Sequence, residues 1–466
     1  MGLLAAYAVP HPPLIVPAVG QGRERAIQQT IDAYEFVARE IVLARPEILI
    51  VVSPHAPLLR DAFHLDACGI LAGSMHSFGA DDEPLEAVVD ASFRAALVEE
   101  AARAGIPLSV ADGDLHSMDH ASYVPLHFIR EAFRLTVGDE RVSLPCPVAR
   151  IGLSGLPFAA HRELGRCIAT AASRLDRRTV LVASGDLSHK LREDGPYGFA
   201  PEGPVFDRLV GEAFSTGELE RLFEFDEDFC AAAAECGLRS FQIMAGALDR
   251  KCFRARLHAL EGPFGVGYAV ASFRVFDVLD GPEADACVAL ARACVEAAAS
   301  GGRAHLDPSC IPGDCTDRRA GAFVSIHKDG ELRGCMGTVA PLRESLAQEI
   351  ASNAVAASSR DPRFPPVSVD ELERLEYSVD VLEAPEPIGS SDELDPARYG
   401  VVVSKGTRRG VLLPALPGVD DAASQVAIAC AKAGIAPDEE GIVLERFEVV
   451  RHEGERPACS GKGAAS

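Results

Sequence analysis

The segment PEILIVVSPHAP, residues 46–57, decides the predicted fold of the first half of the chain. Its apolar run lacks the polar alternation of a half-exposed strand, which is typical of a strand buried on both faces of a mostly parallel sheet. The strand ends at the Ser-Pro pair because proline cannot continue the ladder of a central strand. His55 therefore follows a strand end, at the edge where ligands and catalytic groups collect in open α/β sheets.

Two other segments repeat this arrangement. Residues 2–9 form an apolar run that leads to His11, and residues 179–183 form another that leads through Ser-Gly-Asp-Leu-Ser to His189. The carboxyl ends of parallel strands meet at one edge of a sheet. Each of the three strands is therefore followed by a histidine at the same edge. This arrangement indicates a functional site rather than core packing.

Composition limits the class of protein. A chain of 466 residues predicts two or three domains of roughly 100 to 200 residues each. The net charge of −24 argues against a nucleic-acid surface, which needs a basic patch. The 13 cysteines, with no N-terminal leader segment, predict reduced thiols and a cytoplasmic protein. No apolar run reaches the roughly 20 residues of a membrane span.

The first part of the chain predicts an α/β domain over residues 1–277. Strand-like and helix-like patterns alternate there, which favours βαβ units. Further strands are expected at 69–72, 108–111, 148–153 and 266–276, and helices at 25–44, 84–104, 158–175 and 229–248. A turn-rich segment at 277–282 predicts the domain boundary.

The second part predicts a smaller α+β domain over residues 284–455. A helix is expected at 284–299, and an Asp-Gly pair at 329–330 between strand-like runs predicts a β-hairpin. Further helices are expected at 341–359 and 421–433, and strands at 375–382, 400–404, 410–413 and 442–450.

His11 and His55 are candidate ligands of a divalent metal, because both follow buried strands. A carboxylate would complete a facial triad that leaves positions open for substrate and dioxygen. Glu235 is the candidate, since it lies in an apolar helical segment where an unpaired carboxylate is costly to bury. The alternative is a solvated i,i+4 pair between Glu235 and Arg239.

The remaining histidines of interest are candidates for proton transfer. His116, His120 and His127 form a sequence cluster, and one of them could donate a proton or anchor the substrate, since imidazole titrates near neutrality. For His116 and His127 the alternative is a helix start with solvent-facing rings. His189 is the better acid/base candidate because it follows a strand.

The motifs PHP (10–12), SPHAP (53–57), DHASYVPL (119–126) and SGDLSH (184–189) resemble those of class III extradiol ring-cleaving dioxygenases and the related Memo-like proteins. The resemblance covers the first domain. It implies Fe(II) bound by His11, His55 and Glu235, with a catecholate and dioxygen side by side. It also implies that His120 and His189 lie beside the metal as catalytic residues.

Two residues depart from that pattern. Ala121 stands where the dioxygenase motif commonly has glycine, a change that would narrow the pocket. Cys236 follows Glu235, and Memo-like proteins place a cysteine near this point. A sulfur ligand would favour zinc or another softer divalent metal, or a different reaction.

The second part resembles the AMMECR-type domain, through residues 322–326, 332–338, 359–364, 402–406 and 409–414. Both domains on one chain resemble a component of the AmmeMemoRadiSam system, which implies a Memo-like protein and a radical SAM enzyme as partners. Cys335 follows Arg333, whose guanidinium could stabilise a nucleophilic thiolate. The alternative is a buried strand cysteine. Cys310 and Cys315 with Cys335 lack the paired spacing of a metal site.

These features favour a metal-dependent oxidoreductase, with Fe(II) chemistry on a small substrate, for which an aromatic molecule is a candidate. The alternative is a non-oxygenase component that binds a small molecule or a protein partner of a radical SAM enzyme, with a structural or hydrolytic metal. A scaffold without metal is the third hypothesis. The fold alone does not choose among them, because function resides in the site.

Overall fold

The computed structural model describes residues 2–80, 84–111, 117–139, 141–278, 285–416, 418–437 and 439–454. The chain forms two compact units. The first contains residues 1–276 and 302–305, and the second contains residues 277–301 and 306–466. Most of the predicted boundary segment, residues 279–282, lies outside the described residues.

The strands of the first unit are β1 (Leu3–Val9), β2 (Ile48–Ser53), β3 (Phe63–Asp66), β4 (Ile70–Gly73), β5 (Leu85–Val88), β6 (Leu108–Ala111), β7 (Val148–Gly152), β8 (Thr179–Ser184), β9 (Cys252–Glu261), β10 (Tyr268–Phe276) and β11 (Arg303–His305). Its helices are α1 (Pro17–Gly20), α2 (Gln28–Leu43), α3 (Ala91–Ala104), α4 (His120–Val137), α5 (Phe158–Arg174), α6 (Glu202–Thr216), α7 (Glu227–Ala233) and α8 (Leu238–Leu248).

The main sheet of this unit has nine strands in the order β11-β9-β10-β1-β8-β2-β7-β3-β6. Strands β1, β8, β2 and β7 are mutually parallel at its centre, which confirms the predicted α/β class with a mostly parallel sheet. Strands β10, β9 and β11 extend it in antiparallel fashion.

Both faces of the central strands are covered. Along β1, Ala6 and Ala8 belong to a core that includes residues of α3, α5, α6 and α8, while Tyr7 and Val9 belong to a second core with residues of α2 and α4. Burial on both sides explains why these strands show no polar alternation.

Two predicted helices of the first unit are wrong in extent. Residues 84–104 contain strand β5, which pairs with β4 in a separate two-stranded sheet, and α3 starts only after Asp90 accepts the Phe93 N–H. Residues 229–248 form two helices, because Ala234 adopts a left-handed conformation with φ of 54°. The sequence predictions of this unit also lacked strands β3, β9 and β11 and helices α1, α4 and α6.

The strands of the second unit are β12 (Ala322–Lys328), β13 (Glu331–Thr338), β14 (Leu375–Leu382), β15 (Glu386–Ile388), β16 (Tyr399–Lys405), β17 (Arg408–Leu412) and β18 (Val443–Glu453). Its helices are α9 (Ala286–Ala299), α10 (Gly313–Thr316), α11 (Leu346–Ser359) and α12 (Ala422–Ala433).

All strand pairs of the second unit are antiparallel, which confirms the predicted α+β class. Asp329 and Gly330 both have positive φ, 54° and 85°, as a two-residue hairpin turn between β12 and β13 requires. Across the part of the chain that the structure describes, no helix has both the length and the apolar character needed to cross a membrane.

Candidate metal centre

His11 is held at the carboxyl edge of the sheet by the neighbouring strand β8. Its backbone N–H donates to Asp186 Oδ1 at 2.8 Å, and its Nδ1 lies 3.0 Å from the hydroxyl of Ser184 at the end of β8. The side chain is buried. Contact of Nδ1 with Ser184 leaves Nε2 for a ligand.

A single carboxylate, that of Asp119, contacts both the strand end before His55 and the start of the helix that contains His120. The His55 N–H donates to Ser53 Oγ at 3.2 Å, and that hydroxyl donates to Asp119 Oδ1 at 2.6 Å. Asp119 is also the N-cap of α4, where it accepts the Ser122 N–H at 2.9 Å. One residue therefore fixes both the end of β2 and the start of α4, where His120 lies.

The rings of His11, His55 and His120 lie together. Their centroids are 5.0 Å apart for His11 and His55, 5.4 Å for His11 and His120, and 4.4 Å for His55 and His120. One potential ligand atom from each lies within 4.8 Å of the others. The structure thus places His120, predicted as catalytic, beside both predicted metal ligands.

These imidazoles are held in their neutral form. Burial lowers the pKa of His11 well below its usual value, and the neighbouring histidines add to this effect. Burial also lowers the pKa of His55, and burial followed by the charge of His55 lowers the pKa of His120 to about 4. A neutral imidazole offers the lone pair that a metal ion requires.

Cys236 reaches this group from the break between α7 and α8. Its Sγ lies 3.6 Å from His11 Nε2 and accepts the Asp186 N–H at 3.4 Å. Gly185 and Gly237 permit this approach because neither has a side chain. A Cβ on Gly185 would lie only 2.3 Å from the Cα of Gly237. Burial raises the pKa of the Cys236 thiol.

Glu235 makes a different contact. Its Oε2 accepts the Leu238 N–H at 2.6 Å, at the start of α8, and burial raises the pKa of the carboxyl. Glu235 is outside the three-histidine group defined above. Arg239, its alternative partner, lies 3.5 Å from Glu227. The role of Glu235 as third ligand stays a prediction.

His189 presents a half-buried imidazole whose Nε2 atom is itself buried. Its Nε2 has no hydrogen-bond partner within the described ranges, and its ring centroid is 5.1 Å from that of Tyr197. Burial and then the charge of His55 lower its pKa. His127 lies on α4 with its ring stacked on Tyr123, whereas His116 lies outside the described residues.

A buried ionic network supports Asp119. Arg150 donates from Nη1 to Asp119 Oδ2 at 3.1 Å, and from Nε and Nη2 to the carboxylate of Asp66 at 2.9 and 2.6 Å. The side chains of Arg150, Asp66 and Asp119 are 3%, 4% and 13% exposed. Sequence reasoning missed Asp119 and Arg150. An aspartate directly before a helix start was the available signal for Asp119.

The two second-domain candidates point to different partners. Arg333 donates to both oxygens of Glu371 at 3.0 Å, so its charge is directed at a carboxylate. Cys335 donates its N–H to Asp361 at 2.9 Å, and its Sγ accepts the Ser325 hydroxyl at 3.3 Å. The nucleophilic role of Cys335 stays a prediction.

Comparison with known proteins gives two family matches. Residues 5–271 match the catalytic LigB subunit of aromatic ring-opening dioxygenase, and residues 288–452 match AMMECR1. Protein CA_C1420 of Clostridium acetobutylicum is 35% identical over 97% of this chain and 99% of its own. A Thermotoga maritima protein is 52% identical over 30% of this chain and 82% of its own. An uncharacterized Escherichia coli K12 protein of known structure covers 58% of this chain and 99% of its own, with 19% identity and a TM-score of 0.41.

Proposed function

Because the chain belongs to the family of the catalytic LigB subunit of aromatic ring-opening dioxygenases, with an AMMECR1 domain fused to it, we propose that it is a metal-dependent oxidoreductase. The proposed substrate is a small aromatic molecule. The observation that carries the proposal is the convergence of three neutral imidazoles, His11, His55 and His120, beside the carboxyl edge of the sheet.

The donor set fits a divalent metal, because imidazole nitrogens bind iron and zinc well. We propose Fe(II) held by His11 and His55, with Glu235 as the third ligand that the family resemblance implies. When bound, the metal supplies Lewis acidity and the capacity to use dioxygen.

The side chains around the ligands have roles of their own. His189 is neutral at pH 7 and has a bare Nε2, so it is proposed to accept a proton from a substrate hydroxyl. The ring centroid of His120 lies 5.1 Å from that of Phe78. We propose that His120 orients the substrate from this side of the site. Asp119 fixes the positions of His55 and His120 relative to each other, because it accepts hydrogen bonds from the end of β2 and from the first turn of α4.

The test is metal content and oxygen uptake of the full chain, purified without oxygen. The parent is expected to hold close to one iron per chain and to take up oxygen with a catechol. His11→Ala and His55→Ala are expected to lose the iron, whereas His127→Ala, on the same helix as His120, is the matched control. Iron binding by both variants at the parental level would refute the site.

The third ligand can be decided with two nearly isosteric changes. If Glu235 binds iron, Glu235→Gln loses the metal and Cys236→Ser keeps it. The opposite pattern would assign sulfur as the ligand, and with it zinc or another softer divalent metal.

A second function is favoured by the 3.6 Å approach of Cys236 Sγ to His11 Nε2. A histidine and thiolate set suits zinc, so the chain would be a non-oxygenase component that binds a small molecule or a protein partner. A radical SAM enzyme and a Memo-like protein are the partners proposed from the sequence resemblance. Zinc in the purified protein, copurification of a radical SAM enzyme and no oxygen uptake with catechols would support this function over the first.

A further inference from the structure

Metal-type donors from three separate elements meet inside the second unit. One ligand atom each from Asp285, Cys287 and His452 lies within 4.8 Å of the others, and Cys315 Sγ lies 3.7 Å from Cys287 Sγ. They come from the start of α9, from α10 and from β18. The tertiary fold brings these groups together, because no local sequence motif contains them.

Asp285 organises the group with both of its oxygens. Oδ1 accepts the N–H groups of Cys287 and Val288 at 2.8 and 3.2 Å, so it caps α9. Oδ2 lies 2.7 Å from His452 Nδ1. A carboxylate that holds an imidazole in this way is a frequent feature of zinc sites, where it fixes the orientation of the ring.

The distance between the two sulfurs fits a metal site and excludes a disulfide in this conformation. A disulfide needs about 2.05 Å between sulfurs. Two thiolates on tetrahedral zinc, with Zn–S bonds of about 2.3 Å, lie about 3.8 Å apart. The observed 3.7 Å also suits two reduced thiols in contact. The nearby histidine and carboxylate are therefore the observations that favour a metal site over a simple pair of thiols.

The surroundings give an ion both access and favourable charge. All four donors line a cavity of about 510 Å³. Asp314 and Asp317 also line it, and the guanidinium of Arg318, another lining residue, lies 2.7 Å from Glu383. A wall with excess carboxylates concentrates cations.

We propose that Cys287, Cys315 and His452 bind a zinc-type divalent cation in the second unit, and that Asp285 holds the imidazole of His452 in position. Cysteine sulfur and histidine nitrogen are common ligands of protein zinc sites. The site is independent of the function proposed for the first domain, since it shares no residue with the three-histidine group.

The test is anaerobic titration of the reduced, chelator-treated full chain with Co²⁺, which reports thiolate ligands through a sulfur-to-cobalt absorption band. The Cys236→Ser protein serves as background, because it removes the thiol of the first metal centre. Saturation at one sulfur-bound cobalt per chain, with displacement by Zn²⁺, is expected.

Two variants locate the band and one serves as control. Loss of a ligand's hydrogen-bond partner costs roughly 10- to 100-fold in metal affinity. In the Cys236→Ser background, Cys287→Ser and Cys315→Ser are each expected to weaken cobalt binding by more than this, because each removes a ligand. Cys310→Ser, in the segment next to α10, should leave the band unchanged. Circular dichroism checks that each variant is folded.

Three results would overturn the proposal. The first is no sulfur-to-cobalt band in the background protein when all of its thiols are reduced. The second is a band that survives both Cys287→Ser and Cys315→Ser. The third is a native Cys287–Cys315 disulfide, seen as a mass loss of about 2 Da for the joined peptides in protein that has bound no metal.

Discussion

Replacement of Arg150 by methionine is expected to destabilise the first unit strongly. Arg150 is the shared cationic partner of Asp66 and Asp119, to which it donates three hydrogen bonds between 2.6 and 3.1 Å, and its own side chain is 3% exposed. Removal of one partner leaves buried carboxylates without a counter-charge, which costs about 3 to 5 kcal/mol. For a unit of this size that is a fall in Tm of about 6 to 20 °C.

The same change should weaken metal binding. Asp119 loses its guanidinium partner, and it is the residue that positions both His55 and the first residue of α4. Loss of support for ligand orientation typically costs about 10- to 100-fold in metal affinity. Thermal unfolding followed by circular dichroism gives the first effect, and metal titration of the folded protein gives the second.

Arg192→Met is the matched control. Arg192 also forms a two-pronged pair with an aspartate, Asp194, at 2.8 Å for both bonds, but the pair is exposed to solvent. Its loss should cost far less stability than the loss of Arg150, because water and salt screen an exposed ion pair. If Arg150→Met is no more destabilising than Arg192→Met, the reasoning from buried charge is wrong.

Burial lowers the pKa of His161 to about 4, so its stabilising effect is present above pH 6.5 and is lost as the pH falls through 4, by at most about 3 kcal/mol. In unfolding measurements from pH 7 to 4.5, His161→Phe should therefore lose less stability than the parent, and equal losses would contradict this. Gly185→Ala should cost about 1 to 3 kcal/mol or more, because its Cβ would meet Gly237 at 2.3 Å, whereas Gly69→Ala, with open space around it, should stay within about 0.5 kcal/mol. Equal effects in urea titrations would refute that close contact. Removal of metal by a chelator should lower Tm reversibly, by an amount equivalent to about 2.7 kcal/mol when free metal is 100 times Kd, and an unchanged Tm would indicate no bound metal.

The central strands and the hairpin could be predicted from sequence because their signals are local. Strands β1, β2 and β8 are buried on both faces, so their apolar runs show where they begin and end. The positions of His11, His55 and His189 after strand ends follow from the same runs. The Asp-Gly turn likewise fixes the register of β12 on β13.

The break between α7 and α8 could not be predicted, because the alanine run at 231–234 favours a continuous helix. Packing of Gly237 against Gly185 favours the break, and that contact joins residues far apart in sequence. Similarly, residues 85–88 have helix-forming Leu, Glu and Ala, but pairing with β4 overrides that preference.

The supporting residues of both sites were beyond sequence reasoning for the same cause. Arg150 is 84 positions from Asp66, and His452 is 167 positions from Asp285. Cys315, which sequence spacing relates to Cys310, contacts Cys287 instead. Such partners become visible only when the tertiary structure is known.

The three residues of β11 also bear on where this chain can be divided. The chain leaves the first unit after Phe276, returns for residues 302–305, where β11 lies along the edge of β9, and leaves again. A break in the gene at codon 276 would deprive β9 of that neighbour and leave an open edge prone to aggregation. A break after codon 305 would instead remove α9 from the second unit. No single cut after Phe276 or after His305 therefore leaves both units with all of their own elements.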